Sequence, residues 1–86
     1  MSHVPLEDKA TRRLVEREIA KYPIDANLMV VTVLNKVATF KGRVKPLQGG
    51  AGRNVDVRDE LRKLENALLM LKGINEVVFD VAIDDR

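Results

Sequence analysis

Eighty-six residues, 45% hydrophobic and 33% charged with a net charge of +2, describe one folding unit, since a disordered chain needs lower hydrophobicity and larger net charge. A domain of about this length buries only ~60–65% of its unfolded surface, so its core must be economical. The lack of cysteine excludes disulfides, zinc–thiolate sites and thiol catalysis, and no apolar run approaches the ~18 residues of a membrane span.

Residues 1–5 read as a flexible tail ahead of a single domain at 6–84. Glu7, Asp8 and Lys9 put charge where a signal peptide carries its apolar stretch. The expected location is therefore cytoplasmic, or periplasmic if an export signal has been removed.

Leu14, Val15, Ile19 and Tyr22, with Thr11, recur at helical spacing and predict a helix from Leu6 to about Lys21. Glu7 and Asp8 then fall in its first turn, near the positive end of the dipole. Arg12, Arg13, Arg17 and Ala20 fall on the opposite side, and Pro23 ends the helix. Asp25-Ala26-Asn27 reads as a connection. Residues 28–34 are short and rich in β-branched residues, which predicts a strand. Asn35-Lys36 is a two-residue hairpin turn and residues 37–44 are the return strand.

Pairing Leu34 with Val37 sets the register. Met29, Val31 and Val33 then share a face with Ala38, Phe40 and Gly42, and Leu28, Val30, Thr32 and Leu34 share the reverse with Val37, Thr39 and Lys41. Residues 45–53 form a long glycine-rich loop. Asn54 or Asp56 caps a second helix with a stripe of Val57, Leu61, Leu64, Leu68 and Leu71, and Gly73 is expected as its left-handed C-cap. Asp59 and Lys63 form a favourable i,i+4 pair on that helix. Val77, Phe79, Val81 and Ile83 alternate with Val78, Asp80, Ala82 and Asp84 in a last strand over 76–83. The fold class expected is α+β: a single α/β sandwich of order α-β-β-α-β, with a three-stranded mixed sheet and both helices on one face.

The segment from Val31 to Val44 (Val-Thr-Val-Leu-Asn-Lys-Val-Ala-Thr-Phe-Lys-Gly-Arg-Val) and the segment Leu69-Met70-Leu71-Lys72-Gly73-Ile74-Asn75-Glu76-Val77 resemble the two hallmarks of the BON domain family. The likeness runs from residue 10 to residue 83. It departs at Lys36, where the family usually carries glycine, and at the long connection 45–53. The resemblance implies a non-enzymatic module that binds phospholipid or mediates association; some cytoplasmic relatives are linked to potassium.

Chemistry offers little to a catalyst. Ser2 and His3 are the only serine and histidine, and both lie in the tail, so no nucleophile–base pair can be assembled. No catalytic residue, metal site or cofactor is assigned. Glu18 sits inside the first stripe and is expected to reach solvent or pair with a cation. Asp80, Asp84 and Asp85 lack EF-hand spacing. Nucleic acid is disfavoured by the small net charge and by three aromatics, Tyr22, Phe40 and Phe79, that belong to the core.

Two binding surfaces remain. The reverse of the sheet carries Val30, Leu34, Val37, Val78 and Ala82, where a one-sided sheet would normally be polar. This predicts self-association as a homo-oligomer or contact with a protein partner. The alternative is an anion or anionic phospholipid held by Gly49, Gly50, Gly52 and Arg53 ahead of a helix N-terminus.

Overall fold

The computed structural model describes residues 8–47 and 55–84. The tail expected at 1–5 lies outside them. In chain order the elements are α1 (Lys9–Ile19), β1 (Ile24–Asp25), β2 (Met29–Leu34), β3 (Val37–Pro46), α2 (Val57–Leu68) and β4 (Glu76–Ile83). The fold is α+β. The expected order α-β-β-α-β and count of three strands are corrected by β1, two residues long, which makes a four-stranded sheet.

β3 is the central strand. β2 pairs with it antiparallel from Met29↔Gly42 to Leu34↔Val37, across a turn in which Asn35 and Lys36 both take positive φ (51° and 65°). Those angles belong to the primed turn whose twist matches a tight hairpin. β4 pairs with β3 parallel, from Val37↔Glu76 to Val44↔Ile83. Parallel neighbours need a crossover, and α2 supplies it. β1 continues the β2 edge, with Ile24↔Pro46 and Asp25↔Lys45.

Between Asp25↔Lys45 and Met29↔Gly42, residues 26–28 oppose only residues 43 and 44. One extra residue on one strand is a β-bulge. The Leu28 carbonyl accepts from the Arg43 amide at 3.0 Å, and the adjacent Gly42 sits at φ +111°. A side chain at Gly42 would place its Cβ 2.1 Å from that carbonyl oxygen.

Both helices contribute to one core. Val15 of α1 and Val57, Leu61, Leu64 and Leu68 of α2 bury against Val31, Val33, Ala38, Phe40 and Val44. The stripe read for α2 holds, except that Leu71 lies beyond the helix and is only half-buried. The α1 stripe is corrected. Its buried face centres on Thr11 and Val15, which turns Leu14 to the rim at 47% exposure and brings Arg12 half inside.

The start of α1 also differs from expectation, whereas α2 starts behind Asp56 as its cap. Asp8 stands before the first turn of α1 as its N-cap, accepting from the Thr11 amide (2.9 Å) and the Thr11 hydroxyl (2.6 Å). The hydroxyl bond first, and then the Thr11 amide, hold the Asp8 carboxyl below its usual value of about 3.9. A lowered folded-state value adds stability above about pH 4 that disappears as pH falls through it. The gap in melting temperature between wild type and Asp8→Asn should therefore narrow from about pH 7 to about pH 2, and an unchanged gap in thermal melts would contradict this cap.

Gly73 is not a left-handed cap, since Gly42 is the one glycine with positive φ among the described residues. α2 instead ends at Leu69 and tightens through bonds spaced three residues apart, Met70 to Ala67 and Leu71 to Leu68. What Gly73 provides is clearance, because a Cβ there would lie 2.5 Å from Thr11 Oγ1 and 2.9 Å from Thr11 Cγ2. Gly73→Ala should cost about 1–3 kcal/mol. The cost should shrink in a Thr11→Ala background, and a double-mutant cycle by denaturant unfolding with no coupling would refute the contact.

Candidate functional site

The strand register divides the sheet into a covered and an open face. Val30, Thr32 and Leu34 of β2 point to the open side with Val37, Thr39, Lys41 and Arg43 of β3 and Glu76, Val78, Asp80 and Ala82 of β4. Val30 is 64% exposed, Leu34 40% and Val78 37%, while Val31 and Val33 between them are buried. Neither helix covers this side, because both contribute their apolar faces to the core on the other.

All five residues singled out from the sequence lie on this face, but only three gather. Leu34 and Val37 are direct partners, and Val78 lies one row on, diagonal to Val37 and opposite Thr39. Val30 faces Lys41, and Ala82 faces Arg43. The face is therefore graded. The hairpin end is mostly apolar and threonine-bearing, with Glu76 opposite Val37, whereas the far end carries paired charge. There Lys41 stands opposite Asp80, Arg43 Nη2 lies 3.8 Å from Asp84 Oδ2, and Lys45 Nζ lies 3.9 Å from Asp25 Oδ2. The sequence already set Lys41 on this face beside the aliphatics, but it did not place Arg43 and Lys45 there. The signal was available in Lys41, Arg43 and Lys45, which alternate along one side of the return strand.

A second concavity was not anticipated. A groove of about 630 Å³ runs between the end of α1 and the bulged edge of the sheet, lined by Ile19, Tyr22, Ile24, Met29, Val31 and Leu47 among others. Tyr22 closes on Glu18, its hydroxyl donating to Glu18 Oε2 at 3.2 Å, and Lys21 Nζ reaches Glu18 Oε1 at 3.1 Å. Glu18 thus pairs with a cation as expected. Burial, followed by the bond to Glu18, pushes the Tyr22 hydroxyl above its ordinary value.

Gly49, Gly50, Gly52 and Arg53 lie outside the described residues. The helix start that follows them is described, and Asp56 occupies it: its carboxylate accepts from the Arg58 and Asp59 amides at 3.0 and 3.4 Å. Asp59 and Glu60 add further acid to the first turn. Lys63 answers them from the next turn, 3.4 Å from Asp59 Oδ2 and 3.2 Å from Glu60 Oε2.

Among the described residues no group of three His, Cys, Asp or Glu side chains is placed to hold a metal, and no helix is long and apolar enough to cross a membrane. Compared with known proteins, the chain matches no family model, no curated protein and no solved structure.

Proposed function

We propose that this chain is a non-enzymatic association module, which meets a second copy or another protein through the open face of its sheet. The observation that carries the reading is the uncovered face itself, with Val30, Leu34 and Val78 left in solvent by a chain that buries its other sheet face. A surface with an apolar end and interleaved charges of both signs suits another protein surface, with apolar contact at its centre and polar groups at its rim. The resemblance to BON domains supports the same class of function.

The phospholipid reading is weaker on physical grounds. The open face sets Lys41 and Arg43 against Glu76, Asp80 and Asp84, so it offers no net positive field to anionic lipid. The amides at the start of α2 that an anion would need already serve Asp56.

A photo-reactive side chain at Leu34, expressed in cells, tests the face directly. The expected result is discrete protein adducts that disappear when Val30→Glu is added. That substitution faces Lys41, so the sheet gains a favourable cross-strand pair while the face loses its most exposed β2 aliphatic. The same probe at Arg62, exposed on α2, should give none. Absence of protein adducts at Leu34, or adducts to lipid alone, would overturn the reading.

A further inference from the structure

The two edges of the sheet are treated differently. At the β2 edge the Asp8 amide donates to the Val33 carbonyl at 2.9 Å, α1 packs alongside, and the bulge at 26–28 breaks the ladder. Such devices stop an edge from recruiting another strand. β4, the opposite edge, has no capping main-chain bond and no bulge among the described residues, although α2 packs near it and Glu76 and Asp80 put charge on it. It is eight residues long and regular, with no proline, no lysine and no bulge.

The amides of Glu76 and Asp84 donate toward β3, to the Lys36 and Val44 carbonyls. Strand alternation therefore turns the main-chain groups of Val77, Phe79, Val81 and Ile83 outward. Among the described residues no backbone partner meets them. The side chains of these four point to the core side, yet all are only half-buried, whereas Ala38, Phe40 and Val44 on the neighbouring strand are fully buried. The core thus stops short at β4, on the side where the ladder is open.

We infer that β4 pairs antiparallel with β4 of a second copy about a two-fold axis at Phe79, joining two sheets into one. This uses a different surface from the open face and does not depend on it. A second copy suits this edge because its half-buried row of Val77, Phe79 and Val81 can cover the same row of another β4, and the strand's charge pattern then selects the register. Outward-facing residues must meet outward-facing residues, so the axis passes through a residue and not between two. An axis at Val78 sets Glu76 against Asp80. An axis at Asp80 sets that residue against itself and Glu76 against Asp84, and like charges directly opposite are destabilising.

An axis at Val81 avoids the clash but overlaps only residues 79–83 of the strand. The axis at Phe79 overlaps residues 76–82. It sets Glu76 opposite Ala82 and Asp80 opposite Val78, while Lys41 still flanks Asp80 on β3. On the core side Val77 meets Val81 and Phe79 meets its own copy. The pairs 77–81, 79–79 and 81–77 each exchange two backbone hydrogen bonds. The side chains left half-covered in one copy are covered by the other.

Residues 78 and 80 of facing copies form a pair without backbone hydrogen bonds, whose Cα atoms lie about 4.5 Å apart, within disulfide range. The chain has no native cysteine to interfere. A mixture of Val78→Cys and Asp80→Cys chains should give an oxidised dimer that neither variant gives alone. At about 1 mM chain, the weak end of specific affinity, light scattering should return twice the chain mass. Val81→Pro removes an outward amide that bonds nothing in β3, a position where an edge strand tolerates proline. It should halve that mass while leaving the circular dichroism spectrum folded. A wild type that stays monomeric at that concentration overturns the proposal. So does Asp80→Cys cross-linking to itself, or a folded Val81→Pro that still dimerises. Photo-cross-linking at Leu34 reads the face and these thiols read the edge, so either can fail alone.

Discussion

Gly42→Ala should unfold far more easily than the wild type, losing about 3 kcal/mol or more. Two effects add. At φ +111° an L side chain is strained, at a cost on the order of 1–3 kcal/mol. The new Cβ would also lie 2.1 Å from the Leu28 carbonyl oxygen and 3.3 Å from Met29 Cα, both main-chain atoms of the opposing strand. A flexible side chain would swing away, but a carbonyl fixed by the Arg43 amide cannot move without opening the bulge. For a domain of this size total stability is roughly 4–13 kcal/mol, so this loss is a large share. Urea unfolding would measure it, with Lys41→Ala, exposed on the open face, as a control within about 0.5 kcal/mol. If Gly42→Ala fell within the same band, the close approach of the two strands would be refuted.

Phe40→Ala carries an effect of similar or greater size, about 3–5 kcal/mol. Phe40 is completely buried at the centre of the middle strand, with Val31 on one side and Phe79 on the other. Its ring stacks on that of Phe79 with centroids 4.9 Å apart and planes 29° from parallel. Truncation opens a cavity under both helices that neither hydrogen-bonded neighbour can fill by sliding along the ladder. Phe79→Ala loses the same stacking contact from a half-buried position, so it should cost clearly less. A thermal-melt series in which Phe79→Ala equals or exceeds Phe40→Ala would mean that the core is centred elsewhere.

The parts of this fold legible in the sequence are those with an unbroken period. The hairpin register followed from alternation on both sides of Asn35-Lys36, and α2 followed from apolar residues spaced four, three, four along one face. β4 was legible because its alternation runs without interruption from Glu76 to Ile83. β1 was not, since two residues carry no period and Ile24 alone reads as a stray apolar residue after Pro23. Leu14 misled for a related reason: a helical stripe fixes a broad arc, and only the packed partner decides which side of the arc is covered.

Gly73 misled because a glycine after a helix has two uses. Its clearance for Thr11 is a contact between residues 62 positions apart that no local pattern records. On the open face, the aliphatics were visible one by one. Lys41 facing Val30 follows from the hairpin register, whereas Arg43 facing Ala82 depended on the β3–β4 register, which is a long-range fact.

The parallel pairing of β3 with β4 also bears on the order in which the molecule assembles. Leu34 finds Val37 across a two-residue turn, so the hairpin can close on the fast timescale of local loops. Glu76 must find Val37 from 39 positions further along the chain, and it can do so only after the intervening segment has been drawn back across the hairpin. That distant closure is the step expected to limit the rate, with β4 docking last on a platform already built. Until it docks, β3 itself is a bare edge, so crowding of nascent chains threatens the central strand before it threatens the outer one.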